Sequence, residues 1–518
     1  MIAALLLIAA AAAPDTTGVP PGTPIVAITV VRDDIFDTAD RATSSWPYRW
    51  ANALHVLTRE RYIRSLLLFK EGDRLDPAQL AESERILRGT GFLSPVTITA
   101  KPAPGGAEVT VRTHDQWTTL VGLSLGIAGN RHHVGGSLAE DNFLGWGKQL
   151  LVEYDQSTER TTTTLRYKDS LFLGSRWQLE VQHKRLSDGR GDEVSLVYPF
   201  FALATPRAGG FSLQRDDQTE YLYVNGHEAV RGKADVDAFQ LWGGVRMPWD
   251  SGTTDRLTLG VFKDQVEFLN WSTVGGQPYP DPAGHDMQGV LVGWDHQVDR
   301  WLVVSGFRAW QRQEDVPLGP NWTVTAGVSL PAFGGDRSRV KLDGVLNLGF
   351  LSGAQYSWIN VASDGRLEGG ALVNQVTHLD AGTARTGSVG WRARISVDVG
   401  HNLDGDQQLT LGADTGLRGW DPDTFDGTSR AVANLEWRHV LTGEVLHLGI
   451  IGGVVFADAG KTWAPRVGPS TDGIRSDAGV GLLIESTRAA LLRVVRVEVA
   501  VPDRGGKAVF LISGTSLF

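Results

Sequence analysis

The sequence predicts a mainly β protein, a transmembrane antiparallel β-barrel of about 16 strands that follows one small α/β unit. From Trp117 to Phe518 apolar and polar residues alternate with a period of two, as in strands with two different faces. The chain also holds 62 glycines and 17 tryptophans among its 518 residues. Glycine suits tight turns and barrel kinks, and tryptophan is enriched at membrane–water interfaces.

Charge and cysteine content exclude several classes of function. The net charge of -10 leaves no basic block that could neutralise phosphates, so we expect no nucleic-acid partner. The chain has no cysteine, which excludes disulfides and thiolate metal sites and agrees with an exported bacterial protein. No residue pattern indicates a cofactor or a metal site.

Residues 1–12 are predicted to be a secretory signal peptide. The apolar run from Ile2 to Ala13 is shorter than the ~20 residues of a membrane-spanning helix. No lysine or arginine precedes the run, so an uncleaved N-terminal anchor is the alternative. Residues 13–23, rich in proline and glycine, are expected to form a linker.

Residues 24–116 are predicted to form the α/β unit. Ile25–Val31 is a strand, and Pro47–Thr58 is expected to be a helix. Its apolar face would carry Trp50, Leu54 and Leu57.

A second helix and a hairpin complete this unit. Asp76 is expected to cap the helix, with Pro77 at its first position. Two strands, Val96–Ala100 and Glu108–Arg112, follow around a turn rich in proline and glycine.

Residues 117–518 are predicted to form the barrel. In the run from Trp391 to Gly400, one face is apolar and the other is polar or charged. A soluble β-sandwich could alternate in the same way. However, the region contains no helical pattern, and about 25 residues per strand and connection give about 16 strands. We therefore expect the apolar face to meet lipid and the charged face to line a wet lumen.

Short motifs carry a resemblance to a known family. In chain order they are Phe69–Asp73, Leu87–Phe92, Asp141–Gly147, Leu417-Arg418-Gly419-Trp420 and Phe456–Gly460. Together they resemble the outer-membrane assembly and translocation superfamily that includes BamA, TamA and the two-partner secretion transporters. The resemblance implies one periplasmic POTRA domain at 24–116, followed by an outer-membrane barrel. A single POTRA domain departs from BamA, which has several.

The resemblance also implies a function and partners. The chain would insert or translocate client outer-membrane or secreted proteins, in contact with outer-membrane lipid and without a cofactor. Periplasmic chaperones or accessory lipoproteins are further candidate partners. A passive porin-like channel and a lipid-handling barrel are the competing functions.

The lumen-loop motif, Leu417, Arg418, Gly419 and Trp420, is the main candidate site. An arginine can hold a carboxylate through two parallel hydrogen bonds, and Asp458 and Glu436 are the candidate partners. The alternative is a solvated loop arginine whose ion pair contributes less than ~1 kcal/mol.

Two edges are candidate sites for client strands. The first is the barrel seam, where Trp117, Gly514 and Phe518 are expected. The second is a strand edge in the α/β unit, formed by Val96, Thr97, Ile98 and Thr99. An ordinary closure seam and a capped edge are the respective alternatives.

The chain is not expected to be an enzyme. Gly122-Leu-Ser124-Leu-Gly126 matches the pattern of a nucleophile elbow, but that motif needs a following helix. Here a barrel strand continues instead.

Overall fold

The computed structural model describes residues 15–16, 18–128, 131–247, 252–307, 310, 312–385, 389–490 and 494–514. The predicted signal peptide therefore lies outside the described residues. Among the described residues, no helix combines the length and the apolar character needed to cross a membrane.

The N-terminal unit is a three-stranded mixed sheet with three helices. Its strand order is β1-β3-β2, in which β1 is parallel and β2 antiparallel to the central β3. The elements are β1 (Ile25–Asp33), α1 (Trp46–Leu54), α2 (Glu60–Leu66), α3 (Pro77–Gly89), β2 (Leu93–Ala103) and β3 (Gly106–Asp115). Asp76 caps α3 by accepting a hydrogen bond of 2.9 Å from the Ala78 amide.

The single helix expected over Pro47–Thr58 is wrong, because the chain leaves the helix after Leu54. The Asp115 carboxylate accepts hydrogen bonds from the Thr58 amide and hydroxyl, both at 2.7 Å. It also lies 3.0 Å from His55 Nε2. These tertiary contacts hold the segment after Leu54 in an extended form, and α2 then begins at Glu60.

Within the described part of the chain, twenty strands form one ring of antiparallel neighbours. The first ten are β4 (Thr119–Ala128), β5 (Arg131–Glu140), β6 (Lys148–Gln156), β7 (Thr161–Asp169), β8 (Gln178–Leu186), β9 (Gly189–Tyr198), β10 (Arg207–Val224), β11 (His227–Met247), β12 (Thr253–Thr273) and β13 (His285–Val298). The other ten are β16 (Gly319–Ser329), β17 (Arg339–Ser352), β18 (Gln355–Glu368), β19 (Ala371–Arg385), β20 (Val389–His401), β21 (Ser429–Val440), β22 (Gly449–Trp463), β23 (Arg475–Ser486), β24 (Val494–Pro502) and β25 (Val509–Ser513).

The expected number of about 16 strands is therefore wrong. Several connections are shorter than the assumed spacing allows, since Asn225-Gly226 and Gly369-Gly370 join their strands as two-residue turns. Both residues of each turn have positive φ, as in the type I′ turns that match the twist of a hairpin. The remaining two strands, β14 (Trp301–Ser305) and β15 (Gln313–Pro317), form a separate hairpin between β13 and β16.

The outer face of the ring is apolar and the inner face is ionic. On β23, Val480, Leu482 and Ile484 are 59%, 45% and 44% exposed. On β24, by contrast, Arg496 and Glu498 are buried at 2% and 3% exposure. A water-soluble protein buries the first kind of side chain and exposes the second. This inverted arrangement indicates a ring embedded in lipid.

The N-terminal unit sits on one end of the ring, which we call the near end. Alternate connections of an antiparallel ring lie at the same end, and the unit contacts several of these turns. The Arg59 amide donates to the Gly145 carbonyl at 2.9 Å, and Arg176 donates to the Leu67 carbonyl at 3.0 Å. The turn Asp141–Gly147, one of the resemblance motifs, is therefore a docking surface for the unit.

Replacing Leu87 by alanine should destabilise the N-terminal unit by about 2–5 kcal/mol, because it removes a fully buried side chain from the core. Limited proteolysis in increasing urea should cleave the variant unit at a lower urea concentration than the parent. Leu173→Ala, in a turn where the side chain is 87% exposed, is the control and should leave the profile unchanged. Equal protease resistance of both variants would contradict this description of the core.

Candidate functional site

The connection between β20 and β21, residues 402–428, folds back against the inside of the ring; we call it the lumen loop. Leu411 and Phe425 hydrogen-bond to each other through their backbones at 2.9 and 3.1 Å, which closes the loop on itself. A turn of 3-10 helix then leads to Gly416, whose φ of 106° reverses the chain. This local structure brings Arg418 to the inner wall.

Arg418 binds carboxylates from three strands. Its Nε and Nη2 atoms donate to the two oxygens of Asp458 at 2.7 and 2.8 Å, the bidentate arrangement that arginine favours. Its Nη1 atom donates to Glu436 at 2.7 Å and to Glu498 at 3.2 Å. The guanidinium also lies 3.5 Å from the ring centroid of Phe456. Both partners proposed as alternatives from the sequence therefore contact Arg418.

Two further arginines join this cluster, and the sequence reasoning did not include them. Arg438 donates to Glu436 at 2.8 Å, and Arg496 donates to Glu498 at 2.6 Å. The sequence does indicate that Arg496 and Glu498 face the lumen, because they alternate with valines on β24. Alternation alone, however, does not say which inward charges meet the loop. We call the six side chains the charge cluster: Arg418, Glu436, Arg438, Asp458, Arg496 and Glu498.

The charge cluster is nearly inaccessible to water. The side chains that form its ion pairs are between 0% and 5% exposed. Removing ions from water is costly, and their mutual attraction repays this only when every ion has well-placed partners. The cluster has equal numbers of positive and negative groups, and each takes part in at least one short contact. The arrangement fixes the loop in one position on the wall.

The neighbours of Arg418 support the same placement. Leu417 is fully buried beside Leu411 and Phe425. A Cβ atom on Gly419 would lie 2.4 Å from the Cβ atom of Asp477 on β23, so no larger residue fits there. The Trp420 ring packs against Phe425 at a centroid distance of 5.0 Å. All four residues of the motif thus contribute to seating the loop.

The hairpin of β14 and β15 lies across the near end of the lumen. Its apolar residues pack with Tyr356 and Trp358 on the inner face of β18. In the connection between β14 and β15, the Trp310 amide donates to the Glu485 carboxylate on β23. The segment therefore reaches from β13 and β16 towards the opposite part of the wall. We call its described residues, 299–307, 310 and 312–318, the crossbar.

The crossbar is tied to the N-terminal unit. Arg88 on α3 donates to both oxygens of Asp315 on β15, at 3.0 and 2.7 Å. Burial alone would lower the pKa of Arg88, but hydrogen bonds and charge from Asp315 outweigh it, so that pKa lies above its ordinary value. The Arg85 guanidinium also stacks 4.6 Å above the Trp301 ring. A charged, bidentate contact thus joins the two parts.

The ring closes through a short seam. Within the described residues, β25 pairs with β4 only at Leu511–Ala128 and Ile512–Ile127. Gly514 lies in a bend directly after β25, and Phe518 lies outside the described residues. Over the described residues, β4 has two pairs with β25 and ten with β5.

Trp117 is not part of this seam. Its amide donates to the Arg488 carbonyl at 2.6 Å, and its carbonyl accepts from the Ala490 amide at 3.0 Å. The turn after β23 therefore binds Trp117 at the near end, and β4 begins only at Thr119. The alternating pattern of the sequence could not distinguish a strand residue from one that pairs with a turn.

The edge formed by Val96, Thr97, Ile98 and Thr99 is partly occupied. These residues lie on β2, which is an outer strand of the small sheet. However, the Ile98 amide donates to Glu84 at 3.1 Å, and the Ala100 amide donates to the Asp15 carbonyl at 2.9 Å. Burial raises the pKa of Glu84, while Arg88 opposes this effect. A client strand would have to displace these contacts.

Metal ligands are not grouped in the described part of the chain. There, no set of three or more histidine, aspartate or glutamate side chains is placed to hold a metal ion.

Comparisons with known proteins gave one curated relative. No family model matches the chain. The outer membrane protein assembly factor BamA of Neorickettsia risticii (strain Illinois) is 26% identical over 179 residues, covering 32% of this chain and 22% of that protein. The chain thus matches only about a fifth of the length of this relative.

Two solved structures are similar over most of the chain. BamA from Haemophilus ducreyi lacking POTRA domains 1-3 has a TM-score of 0.40 at 12% identity, covering 94% of this chain and 84% of that one. CdiB from Escherichia coli has a TM-score of 0.45 at 15% identity, covering 94% of this chain and 76% of that one. The β-barrel of this chain thus has a partial sequence similarity to BamA, over 179 residues, beside the motifs that resemble the same superfamily.

Proposed function

We propose that this chain is an outer-membrane protein that inserts or translocates client proteins, and that it does so without a cofactor. The observation that carries the proposal is the charge cluster, which anchors the lumen loop to β21, β22 and β24. These strands belong to the last five of the ring, which end in β25 at the seam with β4. A rigid wall next to a weak seam is suited to opening sideways at one place.

The N-terminal unit is proposed to be a POTRA domain in the periplasm. The order strand, helices, two strands and the motif Leu87–Phe92 support this assignment. Its β2 edge would accept a client segment by strand addition, in competition with the contacts that Asp15 and Glu84 now make. Because that edge is already occupied, a captured client would replace these contacts with its own.

Depletion of the protein in its own cells tests the function. Quantitative proteomics of the outer membrane and the secreted fraction should show specific client proteins lost. In the same cells, a photo-crosslinking residue at Thr97 should trap polypeptide, whereas one at the exposed Lys70, outside β2, is the control. A change confined to lipid composition or to small-solute uptake, with all proteins at normal levels, would refute the proposal.

The charged side chains that line the lumen argue against the alternative function as a lipid-handling barrel. A cavity of about 410 Å³ lies inside strands β9–β17, and charged side chains such as Lys263, Asp264 and Lys341 line it. Lys341 donates to Asp264 at 2.7 Å within this lining. These charged side chains share the lining with Phe239, Phe262 and Leu291, and desolvating the charges against acyl chains would be costly.

Arg418→Ala should destabilise the barrel by about 3–5 kcal/mol, because it removes the arginine that binds the buried Asp458 carboxylate through two hydrogen bonds. The temperature at which the folded form is lost on heat-modifiability gels should fall. Arg504→Ala is the control: that side chain pairs with Asp472 on the surface and should change stability by less than about 1 kcal/mol.

Exchange of the charges provides a stricter form of this test. The double variant Arg418→Asp with Asp458→Arg should recover part of the stability and client export that Arg418→Ala loses. If Arg418→Ala and Arg504→Ala behaved alike, or if the exchange restored nothing, the cluster would not have the proposed role.

A disulfide across the seam should block client handling. Cysteines replacing Ala128 and Leu511, which pair directly, can be introduced cleanly because the chain has no other cysteine. Oxidation should reduce client export and a reductant should restore it, while a matched pair at Leu120 and Ala139 of the extensive β4–β5 pairing should have no effect. Full export by the oxidised seam variant would rule out sideways opening.

Removal of the crossbar distinguishes the proposed function from a passive porin. With the crossbar and lumen loop in place, the parent protein should show low conductance in planar bilayers. Replacing residues 301–317 by a short glycine-serine linker should raise the single-channel conductance several-fold. A parent protein that already conducts like an open pore, with no further rise in the variant, would favour the porin.

A further inference from the structure

Helix α1 presents an apolar face that no part of the described chain covers. Trp46, Trp50 and Leu54 are 70%, 61% and 54% exposed. They recur every fourth residue and therefore lie on one side of the helix. No residue of α1 is buried. Two tryptophans and a leucine on one exposed stripe indicate a surface that is covered in the working protein.

The opposite face of α1 is bound to the protein, which fixes the direction of the stripe. The Tyr48 ring packs on Phe36 at a centroid distance of 4.9 Å, and its hydroxyl donates to the Leu446 carbonyl at 3.0 Å. Asn52 exchanges hydrogen bonds with the backbone of Phe36 at 3.2 and 2.8 Å. Because Tyr48 and Asn52 point towards the protein, the stripe points away from it.

The contact with Leu446 places α1 beside the lipid-facing surface of the ring. The turn 441–448 joins β21 to β22 at the near end, and Leu441, Leu446 and Leu448 are 56%, 69% and 49% exposed there. An apolar belt about 25 Å tall is crossed by about ten residues of a tilted strand. On β22, the exposed Lys461 marks the far edge of this belt. Counting about ten residues from there along the strand places the near edge of the belt close to turn 441–448.

We propose that α1 is a membrane-surface helix whose stripe inserts into the phospholipid leaflet at the near end of the ring. Tryptophan prefers the boundary between headgroups and acyl chains, and an amphipathic helix lies in that plane with its apolar side down. The stripe is continuous with the apolar surface of turn 441–448. The exposed Arg41 and Arg49 beside it would meet lipid phosphates. This contact holds the N-terminal unit against the bilayer.

Spin labelling of the full-length chain tests the proposal. A single cysteine at Trp50, labelled and reconstituted into phosphatidylcholine–phosphatidylglycerol vesicles, reports collisions with oxygen, which enters lipid, and with a nickel chelate, which stays in water. Leu435→Cys on the outer wall is the lipid control. Lys101→Cys, near the tip of the β2–β3 hairpin away from the ring, is the water control.

The label at position 50 should resemble the one at Leu435, with oxygen collisions dominant and nickel collisions several-fold lower than at Lys101. Nickel access equal to that at Lys101 would overturn the proposal. So would protection that disappears when the protein is diluted tenfold in lipid, because a second copy would then cover the stripe.

A second variant separates insertion from a merely structural effect. With the label moved to Leu54, Trp46→Glu and Trp50→Glu together should shift its collisions to the values of water. The label at Leu435 and the heat-modifiable migration of the barrel should not change. If the Leu54 label kept its lipid signature, the stripe would not be the inserted surface. These measurements do not depend on client transport, so they remain informative whether or not the proposed function holds.

Discussion

The hydrogen bonds between Arg418 and the carboxylates of the inner wall are the constraint on which the arrangement of this ring depends. A long connection with an arginine at its tip could take many conformations. Because Arg418 is buried, only the conformations in which its charge is paired are stable. The pairing uses residues from β21, β22 and β24, so the loop holds together three of the last five strands. This anchored part of the wall precedes β25, which pairs with β4 at Leu511–Ala128 and Ile512–Ile127 within the described residues.

Much of the architecture could be predicted from local sequence because it depends on local rules. Alternation along β20 assigns Ile395 to the lipid side and Asp398 to the lumen, and their exposures of 53% and 5% follow that assignment. The capped start of α3 at Asp76 is equally local. Asp458 could be predicted as a partner of Arg418 because residue type and the chain order of the motifs left two candidate carboxylates, Asp458 and Glu436.

The remaining features depend on contacts between distant parts of the chain. The chain leaves α1 after Leu54, and Thr58 hydrogen-bonds instead to Asp115, which lies far along the sequence. Trp117 pairs with a turn that follows β23, which no periodicity could indicate. The strand count was too low because it rested on an average spacing, whereas turns such as Asn225-Gly226 use the minimum number of residues. The crossbar had no recognisable signal, since its two short strands alternate like those of the wall.

The link between Arg88 and Asp315 makes the N-terminal unit and the crossbar mechanically interdependent. Tilting the unit away from the ring either pulls the crossbar with it or separates a charged pair that is largely shielded from solvent. Where the ion pair holds, a ligand that favours a tilted unit also favours a displaced crossbar, and by thermodynamic reciprocity a displaced crossbar would alter the affinity of the unit for that ligand. Through this one ion pair, binding at the N-terminal unit would change the width of the open passage through the ring.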